Sequence, residues 1–228
     1  MNQGRIAVYT CITGGYDRLR QPLATDGEFD FICFVEKGTP HPGCDGVWTF
    51  REMESGCGGD ALMTSRWPKL NPHLALPDYE WSLWMDGNVQ IADGEIYDIV
   101  REKIAAGVVY SGISHPLRDC VYEEAGRCLT SGRIGIFDYL RTVLFLALRR
   151  FPRHFGLMEN NVILRRHGAP AVIEMDTLWW KRLQKGPRRD QLSFMWCLRE
   201  AGVRQDTLLP KGYSTRNHSA FEYTSHAR

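Results

Sequence analysis

The segment Trp81-Ser82-Leu83-Trp84-Met85-Asp86-Gly87-Asn88-Val89-Gln90-Ile91 is an apolar β-type run that carries a lone carboxylate straight into a glycine turn. That places Asp86 at the carboxyl end of a strand. In open α/β sheets ligands sit in the crevice beyond the strand ends, where an Asp is well placed to hold a divalent cation against a phosphate. Asp-Gly and Gly-Asn are also good turn pairs, so the segment by itself equally suits a hairpin.

Further strand-like runs lie at Arg5–Thr10, Phe29–Glu36, Val47–Arg51, Val108–Ser114, Asn161–Arg165 and Val203–Leu209, with helical patterns between several of them. This alternation predicts an α/β sheet. One helix is expected from Asp93 as cap to a stop at Gly107, burying Ile96, Ile99, Val100 and Ile104. A second is expected over about Ile136 to Arg150, before Pro152, and a third from Asp190 to Gly202, burying Leu192, Met195, Trp196 and Leu198. No internal repeat or linker divides the chain, so the expectation is one domain over residues 1–228, with 212–228 an irregular segment that closes over the site or hangs loose.

Lys plus Arg (28) and Asp plus Glu (27) nearly cancel over 228 residues, which leaves no global field to recruit nucleic acid. Between Arg149 and Arg189, however, ten basic residues face three acidic ones, a stretch that suits either an anionic substrate or plain solvent. Seven cysteines, at 11, 33, 44, 57, 120, 128 and 197, form no C-x-x-C pair and indicate neither a disulfide framework nor a structural zinc site. A reducing, cytoplasmic setting fits them. No charged-then-apolar leader precedes the first strand, and Val143–Leu148 falls far short of the roughly 20 residues a spanning helix needs, which restricts membrane contact to the periphery.

Several clusters carry chemistry. After the first strand, Tyr9-Thr10-Cys11-Ile12-Thr13-Gly14-Gly15-Tyr16-Asp17 sets two glycines where backbone approaches a ligand closely or simply turns. Arg66 and Lys69, three apart in Ser65–His73, share a face if that segment is helical and then suit a diphosphate or solvent. His115, in Ser114-His115-Pro116-Leu117-Arg118-Asp119-Cys120, is a rim residue for an acceptor hydroxyl or a satisfied turn histidine, and Glu123 and Glu124 start a helix. Glu159, followed by Asn160 and Asn161, is the first carboxylate placed to accept a proton from an attacking hydroxyl. Asp190, beside Arg189 and Gln191, is the second, and is also a good helix cap.

Taken in order, Gly14-Gly15-Tyr16-Asp17, Asp30-Phe31-Ile32-Cys33-Phe34, Trp84-Met85-Asp86-Gly87-Asn88, His115-Pro116 with Arg118-Asp119-Cys120 and Tyr122-Glu123-Glu124, Glu159 to Arg165, and Arg189 to Phe194 resemble the TOD1/MUCI70 glycosyltransferase-like domain family. The resemblance implies a GT-A-like, Rossmann-type sandwich whose mostly parallel central sheet is flanked by helices. It implies transfer of a sugar from a nucleoside-diphosphate donor, UDP being the expected nucleotide, to a glycan or glycolipid acceptor in surface polysaccharide synthesis. Asp86-Gly87-Asn88 then stands where such enzymes carry a D-x-D motif, with Asn88 replacing the second carboxylate and weakening the hold on Mn²⁺ or Mg²⁺. Asp86, Asn88 and His218 are the implied metal ligands, and Thr10, Gly14, Gly15, Tyr16, Asp17, Arg66, Lys69, Asp86 and Asn88 the donor-binding set. His115, Asn160, Arg189 and Gln191 are assigned to the acceptor, and Glu159 and Asp190 to catalysis. The same resemblance leaves open a ceramidase-like, metal-dependent lipid-amide hydrolase, although no H-E-x-x-H cluster is present. A nucleotide-sugar binder without turnover is the third reading.

Overall fold

The computed structural model of the chain describes residues 4–15, 17–53 and 60–224; Tyr16 and Cys57 lie outside them. Its elements, in chain order, are β1 (Ile6–Cys11), β2 (Phe29–Glu36), β3 (Cys44–Asp45), β4 (Trp48–Met53), α1 (Ala61–Leu70), α2 (Pro72–Ala75), β5 (Trp81–Met85), β6 (Val89–Ile91), α3 (Glu95–Ala105) and β7 (Tyr110–Ser114). They continue with α4 (Val121–Thr130), α5 (Ile136–Leu148), β8 (Met158–Arg166), α6 (Pro170–Lys185), α7 (Gln191–Glu200) and β9 (Phe221–Tyr223).

The sheet runs β3-β4-β2-β1-β5-β8-β7. β4, β2, β1 and β5 run parallel to one another, β8 runs antiparallel between β5 and β7, and β3 is a short antiparallel edge. The pleat sorts the apolar residues onto two faces. Tyr9, Ile32, Phe34, Trp84 and Ile163 pack beneath α1, α4, α5, α6 and α7, whereas Val8, Phe31, Leu83, Met85 and Leu164 pack against α3 and the ribbon formed by β6 and β9. Both faces are therefore covered, as the uninterrupted apolar strands require.

Three expectations are corrected. Asp86-Gly87-Asn88 is no hairpin: β5 belongs to the main sheet, while β6 pairs with β9. Val203–Leu209 forms no strand and contributes a single bridge from Thr207 to Gly112, because Asp206 turns away to receive Ser111 Oγ and Lys103. The helix expected at Asp93 starts at Glu95, with Asp93 Oδ1 accepting the Glu95 N–H (2.9 Å) from one position further out.

Among the elements that escaped the sequence reading are α6 and the partner strand of β6. In α6 the buried positions Val172, Met175, Trp179 and Leu183 keep helical spacing, but Lys181, Arg182 and Lys185 mask it. The β6–β9 ribbon joins residues far apart in the chain, and no local pattern announces it. Among the described residues no helix is long and apolar enough to cross a membrane.

Candidate active site

The site is built at the carboxyl ends of β1 and β5. Gly14 and Gly15 hold φ of +61° and +64°, a region that side chains strain to enter, and so turn the chain sharply after β1. The turn rests on the start of α1, where Thr13 Oγ donates to the Ala61 carbonyl (2.9 Å). It delivers Asp17 against the second loop: a Cβ added to Gly87 would lie 3.2 Å from Asp17 Oδ2. Only glycine at 87 lets the two loops approach this closely without displacement. Thr10, expected at the donor, is buried near the end of β1 with its hydroxyl unpaired among the described residues.

Asp86 is fixed from several sides. Its N–H donates to the Asn161 carbonyl (2.8 Å), and its Oδ1 accepts from Trp84 Nε1 (2.8 Å) and Lys69 Nζ (3.1 Å). Lys69 also meets Asp190 Oδ2 at 2.9 Å, and Arg66 approaches the same oxygen at 3.8 Å. Arg66 and Lys69 thus share one face of α1, as their spacing implies, but that face is turned inward and the Lys69 side chain is only 2% exposed. Burial alone would raise the Asp190 carboxyl; Lys69, then Arg66, outweigh it and hold it far below the usual carboxylate range. Asp190 also caps α7 by accepting the Gln191 N–H (2.9 Å).

Behind this group sits a pair that sequence reasoning missed. Arg165, fully buried on β8, donates to Asp176 (2.7 Å), to the Tyr9 hydroxyl (2.8 Å) and to the Lys69 carbonyl (2.6 Å). It ties the sheet to α6 and to the end of α1, and so sets where the Lys69 ammonium can reach. Burial pushes the Asp176 carboxyl up to about 6 despite Arg165. An Arg inside an otherwise apolar strand, Val162-Ile163-Leu164-Arg165, was the available signal.

Glu159 stands inside β8, not before it. Between the pairs Gly112–Ile163 and Ser114–Met158, Ile113 alone spans what Glu159, Asn160, Asn161 and Val162 fill on β8. This irregularity, with Asn160 at φ +60°, re-aims the side chains at the strand end. Burial raises the Glu159 carboxyl, and Arg216 and Asn161 offset part of the rise. Arg216 NH1 lies 2.5 Å from Glu159 Oε1, a contact supplied by the closing segment. Asn160 is buried with both amide atoms unpartnered among the described residues, so a ligand's polar groups have a donor and an acceptor to meet there.

The remaining expected residues are placed as follows. His115 Nδ1 accepts the N–H groups of Leu117 (3.2 Å) and Arg118 (3.0 Å); burial, then Arg118, lowers its pKa, so it is a neutral turn histidine near neutral pH. Gln191 donates to the Met158 carbonyl (2.7 Å) and secures the start of the Glu159 segment. Arg189 contacts Gln191 Oε1 at 3.3 Å and approaches the buried Glu124 at 3.9 Å. Asn88 donates to the Thr224 carbonyl (3.0 Å), holding the ribbon closed. His218 accepts the Ala220 N–H (3.2 Å) and packs its ring on Tyr213. From the stretch after Gly212, the Thr215 hydroxyl accepts from Asn161 Nδ2 (2.8 Å) and Arg216 pairs with Glu159. A groove of about 520 Å³ between Arg5, Asp30, Arg51 and Tyr79 lies along β2 and β4 and includes none of these residues.

Residues 1–209 match the TOD1/MUCI70, glycosyltransferase-like domain family. The chain belongs to that family. The match stops short of the closing segment that brings Arg216 to Glu159. A curated relative, the probable hexosyltransferase MUCI70 of Arabidopsis thaliana, is 23% identical over 180 residues, covering 75% of this chain and 31% of its own length. The chain thus spans about a third of that relative. Among solved structures, mouse xyloside xylosyltransferase 1 in its apo form aligns at TM-score 0.48 and 11% identity, over 89% of this chain and 84% of that one. The apo bifunctional glycosyltransferase WbbM aligns at TM-score 0.49 and 8% identity, over 90% of this chain and 39% of that one.

Proposed function

We propose that this family member is a GT-A-type glycosyltransferase that moves a sugar from a nucleoside-diphosphate donor, UDP being the first nucleotide to test, to a hydroxyl of a glycan or glycolipid. The observation that carries the reading is the meeting of the Asp17 loop, the Asp86 turn, the Arg66 and Lys69 face of α1 and the Glu159 irregularity at one edge of the sheet. Ligands of α/β sheets bind at that edge.

The donor set suits a hard cation such as Mn²⁺ or Mg²⁺: Asp86, the amide oxygen of Asn88, and the carboxylate of Asp17, which supplies from another loop the charge that Asn88 lacks. Bound there, the ion would neutralise charge on the departing diphosphate. Lys69 acts one step behind, as the buried counter-ion that holds Asp86 and Asp190 in place. Arg66, which approaches Asp190, and Arg189, which approaches Glu124, are the neighbouring cations proposed to face the diphosphate. His218 is a rim residue that completes the ligand set only if donor binding turns it inward.

Glu159 is the better base of the two carboxylates. Its raised pKa keeps it basic enough to take the acceptor's proton, while Asp190, stripped of basicity by Lys69 and Arg66, serves as cap and counter-ion. Asn160 orients the acceptor, and His115 and Gln191 shape its walls from behind. Release of nucleoside diphosphate from a panel of nucleotide sugars tests the proposal. Turnover that falls about 10²–10⁴-fold in Glu159→Gln, with donor binding retained, is expected of a base. Lipid-amide cleavage without any nucleotide would replace the reading.

A surface next to the site points to a membrane-borne acceptor. The outer face of α5 exposes Ile136, Phe137, Leu140, Leu144 and Leu148, an apolar stripe that a soluble monomer rarely shows. Arg133, Arg141, Arg149, Arg150 and Arg153 flank it, against the lone acid Asp138. Two copies meeting on this face would oppose like charges, whereas an anionic lipid surface matches both the stripe and its rim.

A further inference from the structure

Away from the site just described, the cap and first turn of α4 and the loop entering β8 bring together three side chains of different metal-ligand chemistry. Ligand atoms of Cys120, Glu123 and His154 all lie within 4.8 Å of one another, the one such grouping of His, Cys, Asp or Glu among the described residues. We infer that Cys120, Glu123 and His154 form a binding site for a transition-metal dication, Zn²⁺ being the natural occupant, that clamps the start of α4 to the loop entering β8.

The arrangement has the features such a site needs. His154 Nδ1 lies 2.7 Å from Asp119 Oδ1, which fixes the tautomer and leaves Nε2 facing Glu123 Oε1 at 3.7 Å. A carboxylate on the far nitrogen is the usual orienting partner of a metal-bound histidine. With bonds of about 2.0–2.3 Å, neighbouring ligand atoms of a tetrahedral zinc stand about 3.3–3.8 Å apart, so the His154–Glu123 separation already fits. Cys120 sits at the cap of α4, yet its side chain makes no capping hydrogen bond, so the sulfur is not committed to the backbone. Sulfur, imidazole and carboxylate together favour Zn²⁺ over Mg²⁺ or Ca²⁺. On binding, the Cys120 thiol loses its proton to solvent and the sulfur's electron pair goes to the metal.

The two segments are already stitched by backbone, with Gly156 N–H donating to Asp119 O (2.9 Å) and His115 N–H donating to Leu157 O (2.8 Å). Metal there would stiffen the frame that presents Glu159. Cys120 to Glu123 is a one-turn spacing, but His154 comes from beyond α5, which is why cysteine pairing in the sequence gave no zinc signal.

Co²⁺ titration of the full chain under reducing, anaerobic conditions tests the assignment, because thiolate-bound Co²⁺ shows a near-ultraviolet charge-transfer band that carboxylate sites lack. We expect one equivalent to produce the band, Zn²⁺ to displace it, and Asp86→Ala to leave it unchanged. Cys120→Ser should abolish it, His154→Ala should weaken binding at least tenfold, and Asp119→Asn should weaken it by about 10–100-fold. His154 is exposed, so its variant keeps the test valid if Cys120→Ser fails to fold. No band in the parent protein, or a band unchanged in both Cys120→Ser and His154→Ala, overturns the inference.

Discussion

Replacing Lys69 by Met removes an ammonium while keeping its length, and the structure says where the damage falls. Asp190 and Asp86, with side chains 12% and 23% exposed, lose the cation at 2.9 and 3.1 Å, while Arg66, 3.8 Å from Asp190, and the more distant Arg189 remain to compensate in part. Stranding one partner of a buried ion pair costs about 3–5 kcal/mol. With Arg66 in partial compensation, about 3 kcal/mol is expected at pH 7, or a fall in Tm of about 6–12 °C for a chain of this size. The sign of the pH dependence follows from linkage. Because the folded Asp190 carboxyl lies below its unfolded value, its stabilisation is present above the unfolded pKa and disappears as pH falls through the folded one. Losing Lys69 moves the folded value back up, so the gap between variant and parent is widest at neutral pH and narrows as the medium is acidified towards pH 3. Thermal melts of both proteins at pH 7, 5 and 3 measure it. The lost contact of Nζ with the Trp84 ring, 5.5 Å from its centroid, is common to every pH, and a gap that stays constant would refute the electrostatic argument in favour of packing.

Further outcomes are expected elsewhere. If Glu159 is the base, log kcat/KM should rise with pH through a range above that of an ordinary Glu, and the limb should vanish in Glu159→Gln. Asp176→Ala, which leaves Arg165 charged at 0% exposure, should cost about 3–5 kcal/mol in urea denaturation, whereas joint replacement by Arg165→Met and Asp176→Leu should recover much of it. Asp17→Asn should weaken metal-dependent donor binding; full binding in that variant would remove Asp17 from the site. Phe137→Ser with Leu144→Glu should abolish sedimentation with anionic vesicles, and unchanged sedimentation would exclude α5 as the contact.

Much of the frame was legible because strand and helix periods are local. The apolar runs around Val8, Ile32 and Leu83 fell where β1, β2 and β5 stand, and the helices over Ile136–Leu148 and Gln191–Glu200 came with their stop signals. The site was legible only in pieces. Gly14-Gly15, Asp86 and Glu159 each announced a strand end, but that Asp17 lies against Gly87 depends on a loop contact between distant residues. Lys69 read as a cation facing either a diphosphate or solvent, because a three-residue spacing says which residues share a face and not which way that face points. Arg216 and the β6–β9 ribbon were hidden for the same reason: residues such as Thr215, Arg216 and Thr224 take their place by pairing with the distant Asn161, Glu159 and Asn88.

A nucleoside-diphosphate site at Asp86 is tested by calorimetric titration with UDP, GDP, CDP and their sugars, with and without Mn²⁺. Binding of one nucleotide that needs Mn²⁺ and is lost in Asp86→Ala is the predicted result. No binding of any of them to the folded protein, or binding that Asp86→Ala leaves intact, would contradict the account.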